Sequence, residues 1–310
     1  MGDFKKKLNF NYGKPFLKFR EQPENYKEEF KKRIEKFVES FINGQILLAF
    51  IDQSYFKNTT NVVRALYKAG MKNIIKRTGK RFGISVTGIM GVNCQSLMET
   101  YKRNNGFTTI LTLIMFRILN MNNEEGIKIL KSIIDNPILL RKNVKDELLK
   151  KLPTDDEKLK EIDIERSKNR NKASTSLNKI KKICNKNTNV SSAQISIKQR
   201  ILIKDLLIES GIEEILENEL PIALIADNAK IHTATDVGIV AEILNIELVS
   251  LPPYSPDLNP IENLWKIIKS VVYSSNYDSL DDLIKIVSDE FYKNVTSESL
   301  YSGWIEEFML

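Results

Sequence analysis

The sequence predicts an α/β fold, with a mixed five-stranded sheet flanked by helices and interrupted by a mainly helical insertion. Two continuous apolar runs, residues 46–51 and 221–226, have the composition of strands covered on both faces, and each is followed by an aspartate. The second run is followed by a helical pattern and then by another apolar run. Such a strand–helix–strand unit is typical of a right-handed crossover between parallel strands. Because parallel strands end at one edge of a sheet, Asp52 and Asp227 are expected to lie together there.

Composition indicates a globular protein of basic character. The 310 residues allow one large domain or two small ones, and the net charge of +7 with a pI near 9.1 suits a polyanionic partner. Two cysteines, Cys94 and Cys184, and a single histidine exclude a disulfide framework and a structural zinc finger. No stretch is apolar enough for export or for spanning a bilayer, so we expect a cytoplasmic location without membrane partners.

The amino-terminal part divides into a lead-in and the first half of the sheet. Residues 1–45 are predicted to be a basic linker followed by a helix with one apolar face, from about Glu24 to Ile42. Residues 46–120 are predicted to form the first part of the sheet domain. The expected elements are a strand that ends at Asp52, strands at Phe82–Met90 and Ser96–Tyr101, and a helix at Thr108–Leu119.

Residues 121–219 are predicted to be a mainly helical, basic insertion. Helices are expected at Glu124–Asn136, Pro137–Lys151 and Ile197–Asn218. Between Arg166 and Lys204 the chain carries basic residues and no acid. Two interpretations remain open: an arm that embraces DNA, or a solvated linker of low hydrophobicity.

Residues 220–310 are predicted to complete the sheet domain. The strand that ends before Asp227 is followed by a helix at about Ala234–Leu244 and a strand at Ile246–Leu251. Three prolines before Asn259 rule out a helix or central strand, so the chain is expected to run as a stiff extended loop. Asn259 can then cap a helix whose first turn holds Glu262.

Glu262 has two interpretations. The loop begins at the edge where Asp227 lies, so it can carry Glu262 back towards Asp227. Two converging carboxylates suggest a site for a hard divalent cation such as Mg²⁺. The alternative is that Asn259 and Glu262 form only a capping box. Asp257, within the proline loop, is expected to be a turn residue.

Two motifs give the chain a specific resemblance. Asp227, Asn228, Ala229 and His232 match the pattern D-N-A-x-x-H, and residues 253–265 match P-x-Y-S-P-x-L-N-P-I-E-x-x-W. With 34 residues between Asp227 and Glu262, the chain closely resembles the mariner superfamily of DDE transposases, in its prokaryotic insertion-sequence branch. The resemblance implies a ribonuclease-H-like catalytic domain.

The resemblance also implies roles for individual residues. Asp52, Asp227 and Glu262 are then the three catalytic acids, which hold two Mg²⁺ or Mn²⁺ ions roughly 3.5–4 Å apart. The alternative for Asp52 is that it merely ends a strand. Asn228, His232 and Asn259 are expected to contact the acids without binding the metal ions. His232 is expected to position a phosphate or to hold the Asp227 side chain in place.

Three features depart from the family pattern. Gln53 stands where relatives often have glutamate, and Ala65 follows Arg64 where they usually have tryptophan. The helix-turn-helix domain that binds the ends of the element is expected to be missing. Residues 121–219 form a long insertion between the first two acids, which is then either a surrogate for this domain or a solvated linker.

Basic residues around the acids are candidates for contacts with DNA phosphates. From Lys57 to Arg81 the basic residues occur without any acid, which favours phosphate binding over the usual solvated face. Trp265 is expected in the core, with basic residues on the other face of its helix. The candidate DNA-binding residues are Arg64, Lys76, Arg77, Lys80, Arg81, Lys230, Lys266 and Lys269.

Three functions follow from these observations. The first is a transposase catalytic domain that cleaves DNA and transfers strands with metal ions, acting on transposon ends and target DNA in the cytoplasm of a prokaryote. A homodimer and a separately encoded helix-turn-helix protein are its expected partners. The alternatives are a non-catalytic, domesticated DNA-binding relative and a host nuclease of the same fold.

Overall fold

The computed structural model of the chain describes residues 22–58, 81–136, 192–229 and 235–310, with side chains from residue 199 onward in the third range. The predicted helix at Pro137–Lys151 and the basic stretch from Arg166 to residue 191 lie outside these ranges.

The centre of the fold is a five-stranded mixed sheet with the strand order β3-β2-β1-β4-β5. β1 pairs antiparallel with β2 and β2 with β3, whereas β1 pairs parallel with β4 and β4 with β5. The predicted mixed sheet, with its ribonuclease-H-like arrangement, is therefore confirmed. The strands are β1 (Leu47–Lys57), β2 (Gly83–Gly91), β3 (Leu97–Tyr101), β4 (Ile222–Ala226) and β5 (Ile246–Ser250).

The first strand is longer than predicted. Its parallel pairing with β4 stops at Ile51, opposite Ala226, but its antiparallel pairing with β2 continues to Lys57. The prediction that the strand ends at Asp52 was wrong because β2 supplies hydrogen-bond partners beyond the apolar run. Asp52 therefore lies within β1, at the point where the strand loses one of its two neighbours.

Helices cover both faces of the sheet. The predicted helix at Ile197–Asn218 is in fact two helices, α4 and α5, because Gly211 between them has a φ of +64°, a conformation favoured by glycine. The helices are α1 (Tyr26–Ile42), α2 (Gly106–Leu119), α3 (Glu124–Ile134), α4 (Ser192–Glu209), α5 (Ile212–Leu216), α6 (Thr235–Ile243), α7 (Ile261–Ser274), α8 (Leu280–Asn294) and α9 (Ser302–Phe308).

Two hydrophobic cores lie on opposite faces of the sheet. On one face, α1, α7, α8 and α9 pack over β1 around Phe50 and Trp265. On the other, α2, α3, α4, α5 and α6 pack around Ile51, Leu113 and Leu207. The helices at both ends of the range 121–219 thus contribute to the same core as the sheet.

The last two helices complete the fold. Ser279 and Asp282 form a capping box at the start of α8, a pairing that their spacing in the sequence also predicts. The carboxyl-terminal helix α9 closes the first core, where Trp304 packs edge-on against Phe50 and Phe30 of α1. Over the four described ranges, no helix has the length and apolar character that crossing a membrane requires.

Candidate active site

Strand geometry places the two aspartates on one face of the sheet. Side chains alternate along β1, and Asp52 follows Leu48 and Phe50 on the face covered by α7. Asp227, directly after β4, continues the alternation of Ala223 and Ile225 towards that face. Because α7 crosses the same face, its first turn brings Glu262 to this edge.

The Asp52 carboxyl lies within electrostatic range of the other two acids. It is 8% exposed, and burial is the largest cause that raises its pKa to about 7. The negative charges of Glu262 and Asp227 raise this pKa further, while hydrogen bonds from the Gln53 backbone and the Trp265 side chain lower it. Segments from three distant parts of the chain therefore deliver carboxylates to one neighbourhood.

Trp265 makes the most specific contact in the site. Its side chain is 1% exposed, as the sequence predicts for a core residue, and its Nε1 donates a 2.9 Å hydrogen bond to Asp52 Oδ2. Sequence reasoning missed this bond. The signal that could have found it is that a buried indole N–H needs an acceptor, and Trp265 lies about one turn after Glu262.

Asn259 does not act as the predicted helix cap. Pro260 occupies the N-cap position of α7 without a side-chain capping bond, so the capping-box alternative for Asn259 and Glu262 is wrong. The Asn259 side chain is 2% exposed and turned inward, where its Nδ2 donates to the Ile51 carbonyl over 3.3 Å. Ile51 is the last residue of β1 that pairs with β4, so the Asn259 amide contacts the sheet where that pairing ends.

Replacing Asn259 by alanine is expected to lower the free energy of unfolding by about 1–2 kcal/mol, because the buried Ile51 carbonyl loses its donor. Urea denaturation monitored by circular dichroism measures the change. The matched control is Asn263→Ala, four residues later in the first turn of α7, where the side chain is exposed and accepts from Lys266. An equal loss in both variants would contradict the anchoring role of Asn259.

The proline loop is not uniformly extended, which corrects the sequence prediction. Pro256–Leu258 form a 3₁₀ turn, since a proline is tolerated at the first position of a helical turn. Asp257 is an exposed residue of this turn, as predicted, and accepts a 2.7 Å hydrogen bond from Tyr26. At the start of the loop, Asn228 Nδ2 donates to the Leu251 carbonyl over 2.6 Å. Together with the bond between Asn259 and the Ile51 carbonyl, this contact attaches both ends of the loop to the sheet.

The candidate DNA-binding residues are only partly placed. Arg81 and Lys266 are exposed, and Lys266 donates to Asn263. Lys269 is half-buried, with its Nζ 5.9 Å from the centroid of the Phe56 ring, so part of its charge is directed towards an aromatic face. Residues outside the described ranges are Arg64, Lys76, Arg77, Lys80, Lys230 and His232.

The donor set suits a hard cation. Carboxylate oxygens are the ligands that Mg²⁺ and Mn²⁺ prefer. Burial is the main cause of the raised pKa of Asp52, and the charges of Glu262 and Asp227, which add to it, are charges that a cation would neutralise. Within the described ranges, no three His, Cys, Asp or Glu side chains are already arranged around a common metal position. Asp227 Oδ1 accepts from the Ala229 backbone N–H over 3.0 Å, and Asp52 Oδ2 is engaged by Trp265.

Comparison with known proteins connects this geometry to a family. Residues 163–284, which include Asp227 and Glu262, match the DDE superfamily endonuclease family. This part of the chain is therefore similar to DDE superfamily endonucleases. Over 78 residues it is 37% identical to the Transposable element Tc3 transposase of Caenorhabditis elegans, an alignment that covers 24% of this chain and 23% of that protein.

Solved structures similar to this chain include two of Mos1 transposase. The Mos1 paired-end complex with left transposon end has a TM-score of 0.47 at 12% identity, covering 99% of this chain and 66% of that chain. The catalytic domain of Mos1 mariner transposase has a TM-score of 0.39 at 13% identity, covering 94% of this chain and 96% of that chain. The matches thus span less than a quarter of the Tc3 protein and less than two thirds of the Mos1 chain in the complex.

Proposed function

We propose that this chain is the catalytic part of a DDE transposase, which cleaves DNA phosphodiester bonds and joins the resulting 3′-hydroxyl to target DNA. The observation that carries the proposal is the electrostatic coupling of Asp52 to Glu262 and Asp227 at one edge of the sheet. The match of residues 163–284 to an endonuclease family supports the same reaction class.

Asp52, Asp227 and Glu262 are the residues that would hold Mg²⁺ or Mn²⁺, two ions in the proposed mechanism. When bound, such ions supply activation of the attacking water or 3′-hydroxyl and stabilisation of the leaving oxygen. Asp52 itself is largely buried, and the Asn259 side chain links the segment before α7 to β1. Asn228 anchors the proline loop at Leu251, so Glu262 is delivered from a loop fixed at both ends.

Double-stranded DNA, as transposon ends and target, is the proposed substrate. Arg81 and Lys266 are exposed cations that could contact its phosphates, which would give affinity without reading sequence. His232, Lys230 and the basic residues between positions 59 and 80 are proposed to extend this surface. A homodimer, a separately encoded helix-turn-helix protein and a prokaryotic cytoplasmic setting stay predictions.

Removal of divalent metal is expected to abolish nicking of supercoiled plasmid DNA, a substrate that reports single breaks whatever their sequence. The purified chain should nick in Mg²⁺ or Mn²⁺, stop in excess EDTA and recover when the metal is restored, because three carboxylates without cations cannot activate a nucleophile. Gel electrophoresis measures the nicked fraction. Nicking that persists in EDTA would contradict the proposal.

The same assay separates the other candidate functions. A non-catalytic DNA-binding relative should bind DNA in a salt-sensitive way and cleave it with neither metal. This alternative agrees with the finding that, within the described ranges, no three potential ligands surround a common metal position. A host nuclease should cleave without joining an oligonucleotide 3′-end to the plasmid. The proposed transposase should do both.

A further inference from the structure

We propose that Trp265 is a positioning residue of the metal site: its indole N–H bond to Oδ2 fixes the orientation in which the Asp52 carboxylate meets a cation. The proposal rests on the proposed function, because it concerns the same three acids. It adds a residue that acts through Asp52 and that packing alone does not explain.

The first support is the place of Trp265 in α7. It lies three residues after Glu262, so one turn of a single helix carries both a candidate ligand and the donor to another candidate ligand. The Nε1–Oδ2 distance of 2.9 Å links residues 213 positions apart in the chain. Since a helix turn is rigid, this bond sets where the Asp52 carboxylate stands relative to the start of α7.

The second support is that the surroundings hold the indole in one orientation. Gly88 faces Asp52 in the β1–β2 register, and a Cβ added there would lie 2.6 Å from Trp265 Cη2. The rings of Phe56 and Phe291 pack against the indole with centroids 6.0 and 5.8 Å away. Gly88 leaves room for the indole on one side and the two aromatic rings pack against it on others, so the Trp265 N–H points towards Asp52.

The third support is the choice of acceptor. A buried indole N–H needs any acceptor, and a backbone carbonyl is sufficient, as Trp304 shows by donating to the Leu258 carbonyl over 3.0 Å. Trp265 instead donates to a carboxylate influenced by two other acids. Outer partners that hydrogen-bond a liganding carboxylate orient it, and their loss commonly weakens metal affinity 10- to 100-fold.

The decisive experiment compares Mn²⁺ binding by the full chain and by Trp265→Phe, measured from the free Mn²⁺ signal in electron paramagnetic resonance. Phenylalanine keeps an aromatic ring and removes the donor, so we expect affinity to weaken about tenfold or more. Trp304→Phe is the matched control, because it removes the other indole donor in the same core and should bind Mn²⁺ like the wild type. Equal affinity of Trp265→Phe and wild type would overturn the proposal.

A measurement on unmutated protein keeps the test independent of whether Trp265→Phe folds. The chain has two tryptophans, so its indole N–H groups give two NMR signals, assigned with Trp304→Phe. Saturating Mg²⁺ should shift the Trp265 signal and leave that of Trp304 in place, and an unmoved Trp265 signal would overturn the proposal. Failure of the wild type to bind either metal would instead overturn the proposed function, and this inference with it.

Discussion

Asp227→Asn and Glu262→Gln are expected to reduce metal-dependent nicking at least about a thousandfold, equivalent to roughly 4 kcal/mol of transition-state stabilisation. Each amide keeps the volume of the side chain but loses the negative charge that attracts a cation. The first-order rate of plasmid nicking at saturating Mg²⁺ measures the effect. Circular dichroism and thermal denaturation of each variant should match the wild type, because neither side chain is a core residue.

Asp257→Asn is the matched control for these variants. Asp257 lies in the same proline loop, five residues before Glu262, but it is exposed and bound to the Tyr26 hydroxyl. Its replacement should leave the nicking rate within about threefold of the wild type, since an exposed neutral-donor bond of this kind contributes little. Full nicking activity in Asp227→Asn or Glu262→Gln would remove these acids from the chemistry.

The metal-free protein is expected to lose stability as the pH rises from about 4 to above 7. In the unfolded chain Asp52 loses its proton near pH 3.8, whereas in the folded protein burial and the charges of Glu262 and Asp227 raise its pKa to about 7. The folded state therefore retains the proton longer. The stability is fully present below the unfolded pKa and is lost as pH rises through the folded one, a change on the order of 4 kcal/mol.

Asp52→Asn isolates this contribution, because an asparagine has no proton to lose. The free energy of unfolding, from urea denaturation in EDTA at pH 4 to 9, should fall more steeply for the wild type than for Asp52→Asn. Subtracting the two curves cancels other groups, including Glu99, whose pKa burial also raises. Identical pH dependence in both proteins would show that Asp52 does not carry the charge repulsion. Saturating Mg²⁺ should restore wild-type stability at high pH, since it binds the folded site.

Much of the fold could be predicted from local patterns. The apolar runs that became β1 and β4, the helical spacing of α1, α2 and α7 and the capping residues of α8 depend on neighbours within a few positions. The placement of Asp52 beside Asp227 followed from parallel pairing, which the strand–helix–strand unit implies. The position of Asp227 directly after β4 and that of Glu262 in the first turn of α7 agree with the order of elements that the sequence predicts.

The errors arose where a distant segment changed a local preference. β1 extended past Asp52 because β2 continued to pair with it. Asn259 has a side chain well suited to a cap, yet it is turned inward and donates to the Ile51 carbonyl, at the end of the β1–β4 pairing. Gly211 divided a helix that apolar periodicity alone treats as continuous.

The sequence by itself determined which segments become strands and helices, and which carboxylates follow them, because those properties depend on side chains close together in the chain. Only the tertiary structure decided that Trp265 donates to Asp52 and that Gly88 leaves room for the indole. These contacts join residues from separate elements, so their geometry is set by how α7 packs on the sheet. The contacts around the acids therefore depend on how the elements pack, whereas the positions of the acids along the chain can be read from the sequence.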